Sequence, residues 1–283
     1  MELLPIQLIF IIKYHKNKSK LPYIDSAIHK FIDRDLNASI NIARKGKETY
    51  SPPQRSRLHG CEIMKLPTGS KCLDYLLDGG IETGTITQIY GASGTGKTSI
   101  CLMLAYNTAL SGKKVAYLDT EGLSPERIEQ IFKEKEALKN VFIYDVVDFK
   151  QQSSAIKELA KLCKNENEIK LIIVDSFTFL YRSELEDLER QIKIKRELIA
   201  QLTFLLGLAR KFDLAVVITN QVFTDVKTGD EKPLGGPSID HISKIIIGLE
   251  KINKQRRATL IKHRSKPEGL SCTFTITDKG IEP

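Results

Sequence analysis

From about residue 64 onward, the apolar positions of the chain follow two alternating rhythms. Thr85-Ile86-Thr87-Gln88-Ile89-Tyr90 alternates and is rich in β-branched residues, which predicts a strand. Ser99 to Ala105 is mostly apolar and runs on without a breaker to Gly112, as a buried helix does. The succession then repeats. Lys114 to Asp119 reads as a second strand, and Ser124-Pro125-Glu126 opens a helix with a capping serine, a proline at the first position and early negative charge. Val141 to Tyr144 is a third strand, and Gln151 to Lys164 a connecting helix. Leu171-Ile172-Ile173-Val174-Asp175 is a continuous apolar run of the kind buried on both faces of a parallel sheet. A long helix follows, with Leu188, Ile192, Ile199, Leu202, Leu206 and Ala209 near 3.6-residue spacing, and then a buried strand from Leu214 to Thr219. Strands alternating with helices in this way predict an α/β fold whose mostly parallel sheet is flanked by helices.

The ends of this region differ. Leu66 to Gly80 reads as a turn, a short helix starting near Ser70 and a double-glycine stop. Val222 to Pro237 reads as a polar, glycine-containing loop. Ile242 to Leu249, Ala258 to Lys262 and Cys272 to Thr277 are three strands with no helix between them, so they are expected as antiparallel edge strands.

Residues 1–63 have another texture: an apolar stretch from Leu3 to Ile12, a basic run from Lys13 to Lys20, and a proline-punctuated tail. The apolar stretch is too short to span a bilayer and lacks the flanks of a secretory signal. The expected organisation is therefore an N-terminal extension over 1–63, poorly ordered or a remnant of transposon sequence, and a core over 64–283. The formal charge of +8 follows the same division. Residues 1–63 carry 11 Lys/Arg against 6 Asp/Glu, net +5, and the remainder 32 against 29, net +3. The charge alone therefore assigns no nucleic-acid partner to the core. The five cysteines, Cys61, Cys72, Cys101, Cys163 and Cys272, form no Cys-x-x-Cys pair, so neither a zinc site nor a disulfide framework is expected. A reducing cytoplasm fits that usage.

Chemistry enters between the first strand and its helix. Gly91-Ala92-Ser93-Gly94-Thr95-Gly96-Lys97-Thr98 has glycine, four free positions, then Gly-Lys-Thr. Glycines let successive N–H groups turn toward one anion, a lysine reaches the β and γ phosphates, and a threonine hydroxyl takes one position on Mg²⁺. Strand, loop, helix is the context this motif requires. Asp175, ending an apolar strand, is placed to hold Mg²⁺ through its water shell. Glu121, at the carboxyl end of the second strand, is placed to orient and deprotonate a water. Gln221, ending another strand, carries an amide suited to sensing the γ phosphate. ATP and Mg²⁺ are the ligands this set predicts.

Seven features occur in an order that resembles the RecA-family recombinases. They are the phosphate loop, Tyr-Leu-Asp-Thr-Glu-Gly, Ser-Pro-Glu-Arg, Leu-Ile-Ile-Val-Asp-Ser, Ile-Thr-Asn-Gln-Val, Leu234-Gly235-Gly236-Pro237 and Lys262-His263-Arg264-Ser265-Lys266-Pro267. The similarity covers residues 64 to 283 and is to the archaeal RadB branch, shortened paralogues of RadA. The resemblance implies that the nucleotide is held by Gly91 through Thr98 and Ser99, that Glu121 is the catalytic glutamate, that Arg127 stacks on adenine, and that Gln221 links the γ phosphate to a DNA-contacting loop. It further implies that Lys262 and Arg264 reach the nucleotide of a neighbouring copy, so that a homo-oligomer completes the site. Asp33 to Ile42 resembles the C-terminal nuclease motif of TnpB-type transposon proteins.

Two features of RadA-type recombinases are not found upstream of residue 64: a helix-hairpin-helix domain and a Phe-x-x-Ala polymerisation motif. Arg182-Ser183-Glu184-Leu185-Glu186-Asp187 replaces the glycine-arginine loop used for DNA contact, and its carboxylates repel phosphate. The resulting expectation is a cytoplasmic, weak Mg²⁺-dependent ATPase that binds DNA, single-stranded and without sequence preference, and modulates a RadA-type partner in recombinational repair. Lys251, Lys254, Arg256 and Arg257, with Lys262, Arg264 and Lys266, are the candidate phosphate contacts on DNA. A nucleotide-gated interaction protein that touches no DNA is the second reading. A KaiC-like signalling ATPase is the third, for which a tandem second core is expected that this length does not accommodate.

Overall fold

The strand-forming and helical runs that alternate in sequence separate in space into one main sheet and two flanking helical layers. The structure, a computed structural model, describes residues 63–282 apart from 167, 186–187 and 225–230. The expectations for the N-terminal extension, including the transposon-like Asp33 to Ile42, lie outside the described residues. Lys65–Leu66 (β1) and Ile81–Glu82 (β2) pair as a small antiparallel ribbon around the helix Lys71–Leu77 (α1). Next come Ile86–Gly91 (β3), Lys97–Leu110 (α2), Lys114–Asp119 (β4), Pro125–Ile131 (α3) and Val141–Asp145 (β5). They are followed by Phe149–Asn165 (α4), Ile169–Asp175 (β6), Phe179–Arg182 (α5), Leu188–Phe212 (α6) and Ala215–Asn220 (β7). The tail holds Val222–Thr224 (β8), Glu231–Pro233 (β9), Pro237–Ile242 (α7), Ile245–Ile252 (β10), Gln255–Lys262 (β11), Ser271–Thr277 (β12) and Gly280–Glu282 (β13).

Local chemistry sets the element ends. Ser124 Oγ accepts the Arg127 N–H at 3.3 Å and opens α3 as the sequence predicts. Asp148 Oδ1 accepts the Gln151 N–H at 2.7 Å, which starts α4 two residues before the predicted boundary. The stop of α1 comes at Asp78, which takes the left-handed conformation ahead of the glycines, and the Gly79 N–H closes back on Asp74 O at 2.7 Å.

Nine strands form the main sheet, in the order β13-β12-β11-β10-β3-β7-β6-β4-β5. Strands β10, β3, β7, β6, β4 and β5 run parallel, and β11, β12 and β13 are added antiparallel. Two apolar layers sandwich this sheet. One joins α1, α2 and α3 to Ile89, Tyr117, Ile173, Val217 and Ile247. The other joins α4, α6 and α7 to Ile86, Leu118, Ile172, Val174 and Ile218. The alternate residues of β6 and β7 thus serve opposite layers, which is why those two strands read as unbroken apolar runs.

Four expectations change. The first tail strand, β10, is parallel to β3 and only its far edge is antiparallel, because an unpredicted crossover helix, α7, follows the predicted polar loop. That loop holds the β8–β9 hairpin, and a further strand, β13, follows the three predicted. Cys72 and Cys272 form a disulfide, with Cα atoms 5.8 Å apart, contrary to the expectation of none. Their sequence separation of 200 residues leaves no spacing signature; packing of α1 on β12 brings them together. With this disulfide, the cysteines are no sign of a reducing compartment. Among the described residues, no helix is long and apolar enough to cross a membrane.

Candidate nucleotide-binding site

The loop between β3 and α2 lies beyond the carboxyl ends of the parallel strands, where open α/β sheets place their ligands. Its glycines serve two different needs. Gly94 and Gly96 have φ of +71° and +101°, which residues with a Cβ rarely adopt. Gly91 instead allows close approach: a Cβ there would lie 2.4 Å from Leu249 O of β10. Thr95 is fully buried, and its hydroxyl donates to Ala92 O at 2.8 Å, tying the loop to itself.

A cavity of about 570 Å³ opens on this loop. Gly91, Ala92, Ser93, Gly94, Gly96, Lys97, Thr98 and Ser99 form one wall, while Glu121, Asp175 and Gln221 reach it from the ends of β4, β6 and β7. Lys97 Nζ donates to Gly91 O at 2.8 Å and to Ala92 O at 3.1 Å. Burial pulls its pKa below the ordinary lysine value, against the opposing pull of Glu121 and Asp175. A cation whose hydrogen bonds go to two loop carbonyls can exchange them for an anion.

The acidic groups are individually braced. Asp175 is buried at 4% exposure; Tyr117 Oη donates to its Oδ2 at 2.8 Å and Thr219 Oγ1 donates to its Oδ1. Asp119 accepts the backbone N–H groups of Glu121 at 3.2 Å, Gly122 at 3.0 Å and Leu123, which turns the chain so that Glu121 meets the cavity. Burial pushes the Asp119 pKa up, and those three N–H groups hold it back. Gln221 Nε2 donates to Glu121 Oε1. Thr98 and Asp175 border the same cavity, a hydroxyl and a carboxylate of the kind that suit Mg²⁺ beside phosphate.

Other predicted residues sit elsewhere. Arg127 borders the loop helix without lining the cavity: Nη2 donates to Ser99 Oγ at 3.1 Å, and Nη1 to Thr277 O at 2.8 Å and Gln130 Oε1 at 2.9 Å. Lys262 and Arg264 lie at the opposite rim. Register places Lys262 against Ile246, near the start of β10, whereas Leu249 is level with Gly91. Lys262 Nζ donates to Asp240 O at 2.6 Å and Ser243 O at 2.9 Å, closing the end of α7. Arg264 is paired with the buried Glu82. Within one copy, neither reaches the cavity.

Val222, Glu231 and Ile276 also line the cavity and escaped the sequence reading. Ile276 had a signal, as an inward position on an alternating strand; Glu231 had none, since it lies in what reads as a polar loop. Tyr117 and Thr219 were visible only as strand residues.

Comparison with known proteins agrees with this geometry. The Rad51 family model matches residues 59–283. The chain is 64% identical over 220 residues to the DNA repair and recombination protein RadB of Archaeoglobus fulgidus, covering 78% of this chain and 99% of that one. It is 49% identical over 220 residues to the RadB protein of Methanococcoides burtonii, covering 77% and 97%. A crystal structure of the RadB recombinase superposes with a TM-score of 0.66 at 40% identity, covering 77% of this chain and 98% of that chain. With a family match spanning most of its length and a cavity built from that family's ordered motifs, the chain belongs to the Rad51 family, in its RadB group.

Proposed function

We propose that the protein binds ATP with Mg²⁺ in this cavity, hydrolyses it slowly, binds single-stranded DNA without sequence preference, and acts in recombinational repair by modulating a RadA-type recombinase. The observation that carries the nucleotide reading is the convergence of Lys97, Thr98, Asp175, Glu121 and Gln221 on one opening of the phosphate loop. Thr98 and Asp175 would hold the metal ion, which supplies charge neutralisation at the phosphates. Glu121 would take the proton of the attacking water, with Gln221 beside it.

Slowness follows from Lys262 and Arg264 lying away from the cavity of their own copy, so the cations that would complete it come from another. The repair role rests on the name carried by the relatives, DNA repair and recombination protein RadB. Titration of a labelled ATP analogue with wild type and Lys97→Ala tests the site: binding should vanish in the variant, and unchanged binding overturns the assignment. DNA-stimulated ATP turnover separates this function from a nucleotide-gated interaction protein, which would turn over at one rate with or without DNA. DNA affinity should fall steeply with salt if phosphate contacts dominate; a flat dependence counts against DNA binding.

A further inference from the structure

The β10–β11 hairpin breaks an otherwise apolar pattern on the sheet face that carries α2. Ile245, Ile247 and Leu249 of β10, Ala258 and Leu260 of β11, and Phe274 of β12 all belong to the core on that face. Side chains alternate along a strand, so the next positions on this face toward the phosphate loop are Lys251 and Arg256. The two stand directly opposite each other across the ladder. One step back, on the other face, the opposed pair is Glu250 and Arg257, which form an ion pair at 3.4 Å. Like charges directly opposed destabilise a sheet. Among the described residues no carboxylate pairs with Lys251 or Arg256, and the hydrogen bonds of Arg256 go to backbone carbonyls alone.

One of those carbonyls belongs to the phosphate loop: Arg256 Nε donates to Gly94 O at 3.0 Å. Lys251 Nζ is so near that a Cβ on Gly94 would lie 3.0 Å from it. In a trans peptide the carbonyl and the following N–H point opposite ways. Anchoring Gly94 O on Arg256 therefore turns the Thr95 N–H back across the loop, where it makes only a long bond of 3.4 Å to Ala92 O. The hairpin thus sets the aim of a loop donor and adds two cations of the same sign beside Lys97.

We propose that Lys251 and Arg256 form a clasp on the phosphate loop, in the same copy, that favours a nucleoside triphosphate over a diphosphate. Arg256 is a positioning residue that fixes the loop tip. Lys251 supplies charge, and its repulsion with Arg256 and Lys97 is relieved by the added negative charge of the triphosphate. The proposal rests on the triphosphate reading of the cavity and separates these two residues from Lys262, Arg264 and Lys266, which lie toward the other rim.

The experiment uses the full chain and titrates a non-hydrolysable ATP analogue and ADP, each with Mg²⁺, at low and moderate salt. Lys251→Ala should weaken the triphosphate about fivefold, the size of one modest charge contact, with ADP changed less and with a shallower salt dependence. Arg256→Ala should weaken both nucleotides, and Arg256→Lys should recover part of the loss, a recovery that simple packing damage would not allow. Unchanged affinities and salt dependence in Lys251→Ala and Arg256→Ala overturn the clasp, while loss of binding in Lys97→Ala shows that the cavity reading stands. Binding retained in Lys97→Ala instead removes the cavity reading, and the clasp with it. Weaker single-stranded DNA binding with intact nucleotide affinity also overturns the clasp. Lys251 is exposed, so its variant should fold even if an Arg256 variant does not.

Discussion

Gln221 Nε2 donates a hydrogen bond of 3.0 Å to Glu121 Oε1, joining the ends of β7 and β4 across 100 residues of sequence. Gln221 directly precedes β8, so a displacement of the β8–β9 hairpin would pull on the amide that holds the proposed base. Gln221→Ala is therefore expected to lower DNA-stimulated turnover about tenfold or more, the scale of a misplaced general base, with nucleotide affinity nearly unchanged. Steady-state rates and an equilibrium titration check this. An affinity loss as large as the rate loss would mark Gln221 as an ordinary binding group.

Lys97 links function to stability. Its pKa in the fold lies below the ordinary 10.5, chiefly through burial, while the unfolded chain keeps the ordinary value. Below the depressed value, charged Lys97 destabilises the nucleotide-free fold; that cost fades as pH rises from the depressed value to 10.5. Nucleotide-free Lys97→Ala should accordingly melt at or above the wild-type temperature near neutral pH, with the gap narrowing under alkaline conditions. Thermal unfolding at several pH values measures it. Retained stability with lost nucleotide binding is the pattern of a functional rather than a structural lysine.

The brace on Asp175 offers a separate test. Tyr117 is 1% exposed and its hydroxyl donates to a buried carboxylate. Tyr117→Phe removes one of the two side-chain donors to Asp175 and should destabilise the protein by about 1.5–3 kcal/mol, as for a hydrogen bond to a charged group. The Mg²⁺ concentration for half-maximal turnover should rise, because the carboxylate loses a positioning partner. Chemical denaturation and a Mg²⁺ titration provide the two readouts.

Gly91 and Gly94 should respond differently to the same change. Gly91→Ala drives a methyl group into the Leu249 carbonyl of the neighbouring strand, so either β10 or the loop must move. Gly94→Ala meets the flexible end of Lys251 and a positive φ, a strain of about 1–2 kcal/mol. The first variant should lose both thermal stability and nucleotide binding. The second should fold with a smaller loss, as paired melting curves and titrations would register.

The disulfide joins α1 to β12, whose Ile276 lines the cavity and whose Phe274 and Ile276 approach Gly96. Reduction, or Cys72→Ser, should lower stability by about 2–4 kcal/mol, the usual value for a bridge closing a long loop. Melting with and without reductant, beside thiol counting under denaturing conditions, decides this.

Much of the architecture was legible because β6 and β7 carry unbroken apolar runs and α3 opens on a capping serine. Ser124-Pro125 and the phosphate loop are positions where local chemistry and tertiary placement agree. What escaped is non-local. The direction of β10 depends on α7, a helix of six residues that follows the polar loop. The pairing of Cys72 with Cys272 depends on the sheet order. The basic residues of the tail read as one cluster in sequence, yet register sends Lys251 and Arg256 toward the phosphate loop and Lys262 to the far rim. Among the predicted site residues, those at strand ends converge, because parallel strands bring their carboxyl ends to one edge. Charge alone carries no such instruction.

The separation of Lys262 from the phosphate loop gives each molecule two unlike ends. If those basic groups serve the loop of another copy, the donor rim of one molecule meets the acceptor rim of the next, and each contact leaves one of each exposed. A two-fold pair cannot satisfy such a contact; a ring or an open row can. The length of that row would then follow from protein concentration and from whatever caps its terminal surfaces, and the last molecule in line would always hold an incomplete pocket.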